Sequence, residues 1–472
     1  MKSNTNLTNN NTHNLHPSIL RAYDVRGVVD KTISAKDLEF IGKAFGSYIT
    51  RKTEGKTIKV CVAFDGRHSS PIFEEELVKG LLSTGIDVIR IGRGPTPMLY
   101  FAVKHLQAQA GIMITGSHNP PSHNGCKMLF GKLPLKDEEI QELGKICING
   151  DFVYGSGSVE FADIFDEYVA SLKNAFNSKK SLKIAWDAGN GASGEAMKAL
   201  SEILPGEHIL LNQEINGDFP SHHPDPSVPE NMEQLKQAVL TNNCDIGIAF
   251  DGDGDRIGVI DNKGRMLMGD QLMFLLAEDI LKQNPGATII ADVKSSQVLF
   301  NHIEKLGGKA LMWKTGHSLI KYKMLETSAE LAGEVSGHIF YKANNGFDDG
   351  LYAAIRLINF LSNSNESLAQ KFDRMPKTFS TDEHRIDVTE ERKFRIIEEI
   401  KEYLATDNNN NSPIQVNTLD GIRVTTPDGW WLLRASNTQA ALVARCEAES
   451  ASSLKILEQQ LNGYLERSGV CL

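Results

Sequence analysis

The chain has 472 residues, of which 41% are hydrophobic and 23% charged, and a formal net charge of −10. That length exceeds one compact core and implies roughly three or four domains of ordinary size. The acidic balance argues against general nucleic-acid binding, which uses a basic face, and no apolar run approaches the ~20 residues needed to cross a bilayer.

Residues 1–16 are rich in Asn and Thr and have neither an apolar centre nor a small-residue cleavage site, so they read as a disordered tail rather than an export signal. Six cysteines, at 61, 126, 147, 244, 446 and 471, are scattered without a Cys-x-x-Cys pair. This pattern fits neither a zinc site nor a disulfide framework and suits a reducing cytoplasm.

Three segments share one plan, in which an apolar β-rich run leads to Asp and small polar residues and then to a helix-like stretch: 58–70, 182–194 and 288–296. Each is followed by a second apolar strand ending in a polar loop, at 111–119, 245–255 and 331–338. The repeat spacing of a little over one hundred residues predicts three related α/β units with mixed sheets. Loops at the carboxyl ends of strands are where open α/β sheets bind ligands, so the three loops are expected to converge on a central cleft. The last hundred residues differ. A strand at 383–388, a helix at 390–404, Asp-Gly turns at Asp420-Gly421 and Asp428-Gly429, and a final helix from Ser452 predict an antiparallel α+β domain. The Asn-rich run 407–413 reads as a surface loop insertion.

The first loop, Thr115-Gly116-Ser117-His118-Asn119-Pro120, follows the apolar run 110–114 and exposes a hydroxyl where Gly116 frees the backbone and Pro120 and Pro121 block a helix. An ordinary turn accounts for these residue types about equally well. The second, Asp251-Gly252-Asp253-Gly254-Asp255-Arg256, sets carboxylates at alternate positions, with glycines that let the backbone curl their oxygens onto one hard cation, naturally Mg²⁺. An EF-hand would need a glutamate at the twelfth position, which is Asn262; a plain hairpin would not need three Asp followed by Arg. The third, Gly333-Glu334-Val335-Ser336-Gly337-His338, offers acceptor, hydroxyl and imidazole in the manner of a sugar-hydroxyl reader, although a capping Ser and a buried His explain it too. In the last domain Arg434-Ala435-Ser436-Asn437-Thr438 suits a phosphate, or a β-turn with an exposed Arg. Lys294, His317 and Arg26 add further positive or donor groups.

These four loops, in this order, resemble the α-D-phosphohexomutase family, most closely its phosphomannomutase/phosphoglucomutase branch, from Arg21-Ala22-Tyr23-Asp24-Val25-Arg26-Gly27 to Arg434-Ala435-Ser436-Asn437-Thr438-Gln439. The resemblance implies a division into a phosphoserine domain (17–163), a metal-binding domain (164–264), a sugar-recognition domain (265–376) and a phosphate-binding domain (377–472); the stretch 374–377, which contains Pro376, is the expected hinge of the last domain. It implies that Ser117 is the phosphoserine, with Lys127, His118, Arg26 and Arg256 as its catalytic neighbours and Lys127 the favoured acid/base. Ser117, Asp251, Asp253 and Asp255 would bind one Mg²⁺. Tyr23, Asn119, Lys294, His317, Glu334, Ser336, His338, Arg434, Ser436, Asn437 and Thr438 would hold the substrate. The implied reaction interconverts mannose 1- and 6-phosphates and the glucose pair through a hexose 1,6-bisphosphate, in a cytoplasmic monomer or weak dimer whose partners are small hexose phosphates, with no nucleic acid or membrane. A hexosamine phosphate mutase and a sugar-phosphate phosphatase are the alternatives; a silent sugar-phosphate sensor would not need both the serine and the carboxylate trio. The chain departs from the family pattern at Ala440, where proline is usual, and at Cys126, in place of an aromatic.

Overall fold

The computed structural model describes residues 12–53, 58–178, 180–407, 414–436 and 440–472. They form two compact units, Met1–Leu267 with Phe347–Asn365, and Met268–Gly346 with Glu366–Leu472.

The first unit is built on two mixed sheets. In one, Lys59–Phe64 lies between the parallel neighbours Asp87–Arg93 and Ala110–Ile114. Ala110–Ile114 then pairs antiparallel with His123–Phe130, which pairs in turn with Val25–Val28. Every residue of Ala110–Ile114 is buried, as expected of a continuous apolar strand covered on both faces. Helices Ala35–Thr53 and Ser70–Leu82 supply much of the cover, burying Phe40, Ile41, Phe45, Phe73 and Leu77 against the sheet. The second sheet repeats the plan: Leu182–Asp187 lies between parallel Gly206–Leu211 and Ile246–Phe250, and Ile246–Phe250 pairs antiparallel with Ile257–Asp261.

The second unit contains the third copy. Thr288–Asp292 lies between parallel Lys309–Trp313 and Leu331–Gly333, and Leu331–Gly333 pairs antiparallel with Ile339–Tyr341. The three expected loops therefore occupy equivalent places, each joining a parallel strand to the antiparallel strand beside it. The remaining sheet is wholly antiparallel, running Phe379–Ser380, Ala441–Ala448, Gly429–Ala435, Ile422–Thr426 and Gln415–Asn417, with His384–Asp387 also on Ala441–Ala448. Side chains alternate between its faces. Ile422, Val424, Trp431, Leu433, Leu442 and Ala444 pack with helices Glu390–Asp407 and Ala451–Arg467. Trp430 and Leu432, from the opposite face, pack with Val293.

Two differences from expectation have physical causes. Within the presumed tail, residues 12–16 are bound to the first unit: the His13 amide donates to the Cys147 carbonyl, its ring stacks on Phe40 at 4.4 Å, and Leu15 is buried. Helix Gly350–Ser362, inside the segment 265–376 expected to form one domain, groups with the first unit. Its N-cap Asp349 accepts from the buried Tyr168 hydroxyl, and the Asn359 amide bonds to both the Asn177 N–H and the Ala175 carbonyl. Among the described residues no helix is long and apolar enough to cross a membrane, and all six cysteines are unpaired.

Candidate active site

Ser117 leaves the strand Ala110–Ile114 at φ 49°, in the left-handed region, with its side chain almost fully buried. A non-glycine residue holds that conformation only where surrounding contacts fix it. Here the contacts come from Arg67, whose two terminal nitrogens donate to the carbonyls of Ser117, Asn119, Pro120 and His123. Arg67 is itself buried against Asp65, at 3.2 Å, and Asp65 also accepts from the Gly116 amide. Gly116 is required by this packing, because a Cβ there would lie 2.2 Å from Arg67 Nε. The Ser117 hydroxyl lies 3.2 Å from His118 Nδ1 and donates to Asp251 Oδ2 at 3.1 Å.

Asp251 thus ties the serine to the carboxylate loop, and Gly252 lets the two backbones meet: a Cβ there would sit 2.4 Å from the Ser117 carbonyl oxygen. Asp251, Asp253 and Asp255 are fully buried, with one oxygen from each inside a 4.8 Å cluster. Lys127 bridges Asp253, at 2.7 Å, and Asp255, while Thr96 donates to Asp253. Burial would strip Lys127 of its proton, but Asp253 and Asp255 outweigh it and hold the ammonium charged. Burial, then the charges of Asp253 and Asp255, pushes the Asp251 carboxyl well above the usual range. Burial acts the same way on Asp253, yet Lys127 holds that carboxyl well below it. Three close, hard oxygen donors are the ligand set of a divalent cation, and Asp253 Oδ1 is a buried acceptor without a hydrogen-bond partner. The residues fit Mg²⁺.

Positive groups ring this cluster. Arg256 donates its amide to Asp251 and places its guanidinium 3.8 Å from Asp225. Burial and then Arg256 lower the proton affinity of His118; burial raises that of Asp225, but Arg256 outweighs it and holds the carboxyl down at about 2. Arg26 is buried, donates to the Gly116 carbonyl and pairs with Asp24. Tyr23 and Asn119 are half-buried on the same unit.

In the second unit Glu334 is buried and accepts from the Gly316 amide, and Ser336 Oγ lies 3.5 Å from its other oxygen. His338 stacks beside His317, their centroids 5.6 Å apart. Lys294 pairs with Glu383 at 3.2 Å. Arg434 is buried and donates to Asp420, which also accepts from the Thr315 amide. The Ser436 carbonyl accepts from buried Lys393. Asn437 and Thr438 lie outside the described residues.

The sequence matches, in order, the four families described as phosphoglucomutase/phosphomannomutase alpha/beta/alpha domains I (residues 17–153), II (166–264) and III (268–379) and the C-terminal domain (383–463). The chain belongs to the phosphoglucomutase/phosphomannomutase family. It is 45% identical over 454 residues to a phosphomannomutase/phosphoglucomutase of Pseudomonas putida, covering 96% of both chains. It is 41% identical to a phosphoglucomutase of Neisseria gonorrhoeae, covering 95% of this chain and 96% of that one. A solved phosphoglucomutase/phosphomannomutase family protein of Burkholderia thailandensis superposes with a TM-score of 0.90 at 39% identity, over 96% of this chain and 99% of that one. Members of this phosphoglucomutase/phosphomannomutase family are isomerases that move a phosphoryl group.

Several residues that build the site were not evident from sequence. Asp65 and Arg67 sit inside the first repeated segment, 58–70, whose Asp and small polar residues were the only signal. Thr96, Asp225 and Lys393 reach the loops from positions far along the chain and carry no local motif.

Proposed function

We propose that the protein is a phosphohexomutase interconverting mannose 1-phosphate and mannose 6-phosphate, and glucose 1-phosphate and glucose 6-phosphate, by way of a phosphoserine at Ser117. The observation that carries this reading is the Ser117 hydroxyl, fixed at positive φ and bonded to the first of three buried carboxylates. O1 and O6 lie on opposite sides of the sugar, so direct transfer between them is geometrically barred. A phosphorylated serine resolves this. The Oγ–P bond breaks as a bond from phosphorus to the free sugar hydroxyl forms, giving a hexose 1,6-bisphosphate. The intermediate turns over, its other phosphate returns to Ser117 Oγ, and the isomeric monophosphate leaves.

When bound by Asp251, Asp253, Asp255 and Ser117, Mg²⁺ would supply charge neutralisation on the transferring group. Arg256 and Arg26 add fixed positive charge beside the serine. Lys127, held between Asp253 and Asp255, gives a proton to Ser117 Oγ as its bond to phosphorus breaks and takes one from the attacking sugar hydroxyl, so that it ends protonated as it began; the return step moves both protons the other way. Glu334, Ser336 and His338 read the 3- and 4-hydroxyls, and Lys294, His317, Tyr23 and Asn119 assist. Arg434 and Ser436, with Asn437 and Thr438 by family pattern, hold the distal phosphate. Mannose and glucose differ only at C2, which a reader of O3 and O4 does not distinguish, so dual specificity follows. Hexose 1,6-bisphosphate rephosphorylates any serine that loses its group. A monomer or weak dimer in a reducing cytoplasm suits six unpaired cysteines.

³¹P NMR of both hexose 1-phosphates with Mg²⁺ and a trace of bisphosphate tests the proposal. Conversion of both to 6-phosphates, with rates within about tenfold as expected for one unread hydroxyl, is the predicted result. Preferential turnover of an amino sugar, or release of inorganic phosphate, would overturn it.

A further inference from the structure

The loop that carries Lys294 is bonded at five consecutive residues by side chains of the C-terminal sheet. Arg423 donates to the carbonyls of Val293, at 2.7 Å, and Ser295, at 2.8 Å. Arg445 donates to the carbonyl of Lys294 itself at 3.0 Å. Glu447 accepts from the Ser296 hydroxyl at 2.9 Å and the Gln297 amide at 3.1 Å, and Trp430 Nε1 fixes that same carboxylate oxygen at 2.8 Å.

All four side chains project from one face of the sheet, the face turned away from helices Glu390–Asp407 and Ala451–Arg467. Arg423 alternates with Ile422 and Val424, and Arg445 and Glu447 alternate with Ala444 and Cys446, whose side chains join the helix-facing core. Arg423 is buried and stacks over Trp430 at 3.8 Å. A buried guanidinium and carboxylate are costly to desolvate, and a sheet face needing only stability would be met by apolar residues. Here both charges bond to a single loop, Arg423 at two backbone carbonyls and Glu447 at one amide and one hydroxyl. That is the arrangement of groups that fix a neighbouring side chain rather than touch a ligand.

We propose that Arg423, Arg445 and Glu447 are positioning residues, which lock residues 293–297 so that the Lys294 ammonium meets the sugar phosphate at the same point in both half-reactions. The inference rests on the functional reading above, in which Lys294 binds substrate. It makes the C-terminal sheet a part of the binding machinery through Lys294, in addition to the direct phosphate contacts proposed for Arg434 and Ser436.

The test compares R423Q, K294A and the R423Q/K294A double variant with the wild type, each checked for a cooperative melt, in initial-rate assays with mannose 1-phosphate and glucose 1-phosphate. Loss of two charge-assisted hydrogen bonds to the loop is expected to raise KM about tenfold in R423Q with kcat within about threefold. The double variant should be no worse than K294A, because Arg423 acts through Lys294. Unchanged KM in R423Q, an unaltered KM in K294A, or additive losses in the double variant would each overturn the inference. If R423Q fails to fold, R445M removes the hydrogen bond to the Lys294 carbonyl and carries the same comparison, with a KM rise of about threefold. Amide hydrogen exchange provides a readout independent of turnover. Protection at residues 294–297 should fall in R423Q while that of strand Thr288–Asp292 stays as in the wild type, and unchanged protection counts against the clamp. A wild-type protein that converts neither sugar defeats the functional reading; conversion with an unaffected R423Q defeats only this inference.

Discussion

Arg67 touches no reacting atom, yet four carbonyls of the Ser117 loop depend on its guanidinium. Its removal leaves the buried Asp65 carboxylate without its counter-ion, so Arg67→Ala should cost about 3–5 kcal/mol in urea unfolding, the range for breaking one side of a buried pair. A loss below about 1 kcal/mol, as for an exposed pair, would contradict the assignment. His222 offers a pH-dependent counterpart. Its Nε2 faces Asp187 at 3.0 Å and its Nδ1 faces the His223 carbonyl at 2.9 Å. Burial lowers its proton affinity, but the Asp187 carboxylate and that carbonyl prevail and raise the folded pKa above 6.5. A raised pKa contributes stability that is fully present below the unfolded value and lost as pH rises through the folded one. The penalty of His222→Asn should therefore be largest below about pH 6.5 and shrink at higher pH, as followed by urea melts; a penalty independent of pH would rule out the charged pair. Such contacts were not legible in sequence, because His222 lies 35 residues beyond Asp187, outside the repeated segments, with no spacing rule to join them.

At the scale of elements, the proposed chemistry resides in loops that end parallel strands, and their residues were readable because each loop is local: the hexapeptide at Ser117, the Asp-Gly alternation at 251–255 and the Glu-Val-Ser-Gly-His run. The sheets were readable as types, since a wholly buried strand such as Ala110–Ile114 shows as an unbroken apolar run. What sequence could not supply is how loops from separate sheets meet. Gly252 illustrates this: it resembles a turn glycine in sequence, while its Cα faces the Ser117 carbonyl. Gly252→Ala should drive the two loops apart by a few tenths of an ångström or more and lower kcat roughly 10–100-fold, with only a modest fall in melting temperature. Near-normal kcat in a folded Gly252→Ala protein would show that the two loops need not meet so closely. The ordered residues 12–16 escaped a compositional reading because Asn- and Thr-rich flanks mask a single buried Leu15.

Over the whole molecule, a threefold α/β plan with an antiparallel C-terminal sheet emerges from the hundred-residue periodicity of the chain. The grouping of helix Gly350–Ser362 with the first unit did not, since its Asn359 and Asp349 contacts span about 180 residues of sequence. That wiring makes the first unit dependent on a segment beyond its own matched families. A chain truncated after residue 264 should therefore unfold well below the intact protein in a thermal melt, and an unchanged transition for the first unit would contradict the grouping. The central claim, however, is chemical: one serine accepts and returns the phosphoryl group. The direct measurement is the isomerisation rate of Ser117→Ala with Mg²⁺ and saturating hexose 1,6-bisphosphate. The account predicts a loss on the order of 10³-fold or more with an unchanged melting temperature, as for removal of a nucleophile; a rate equal to that of the wild type would contradict it.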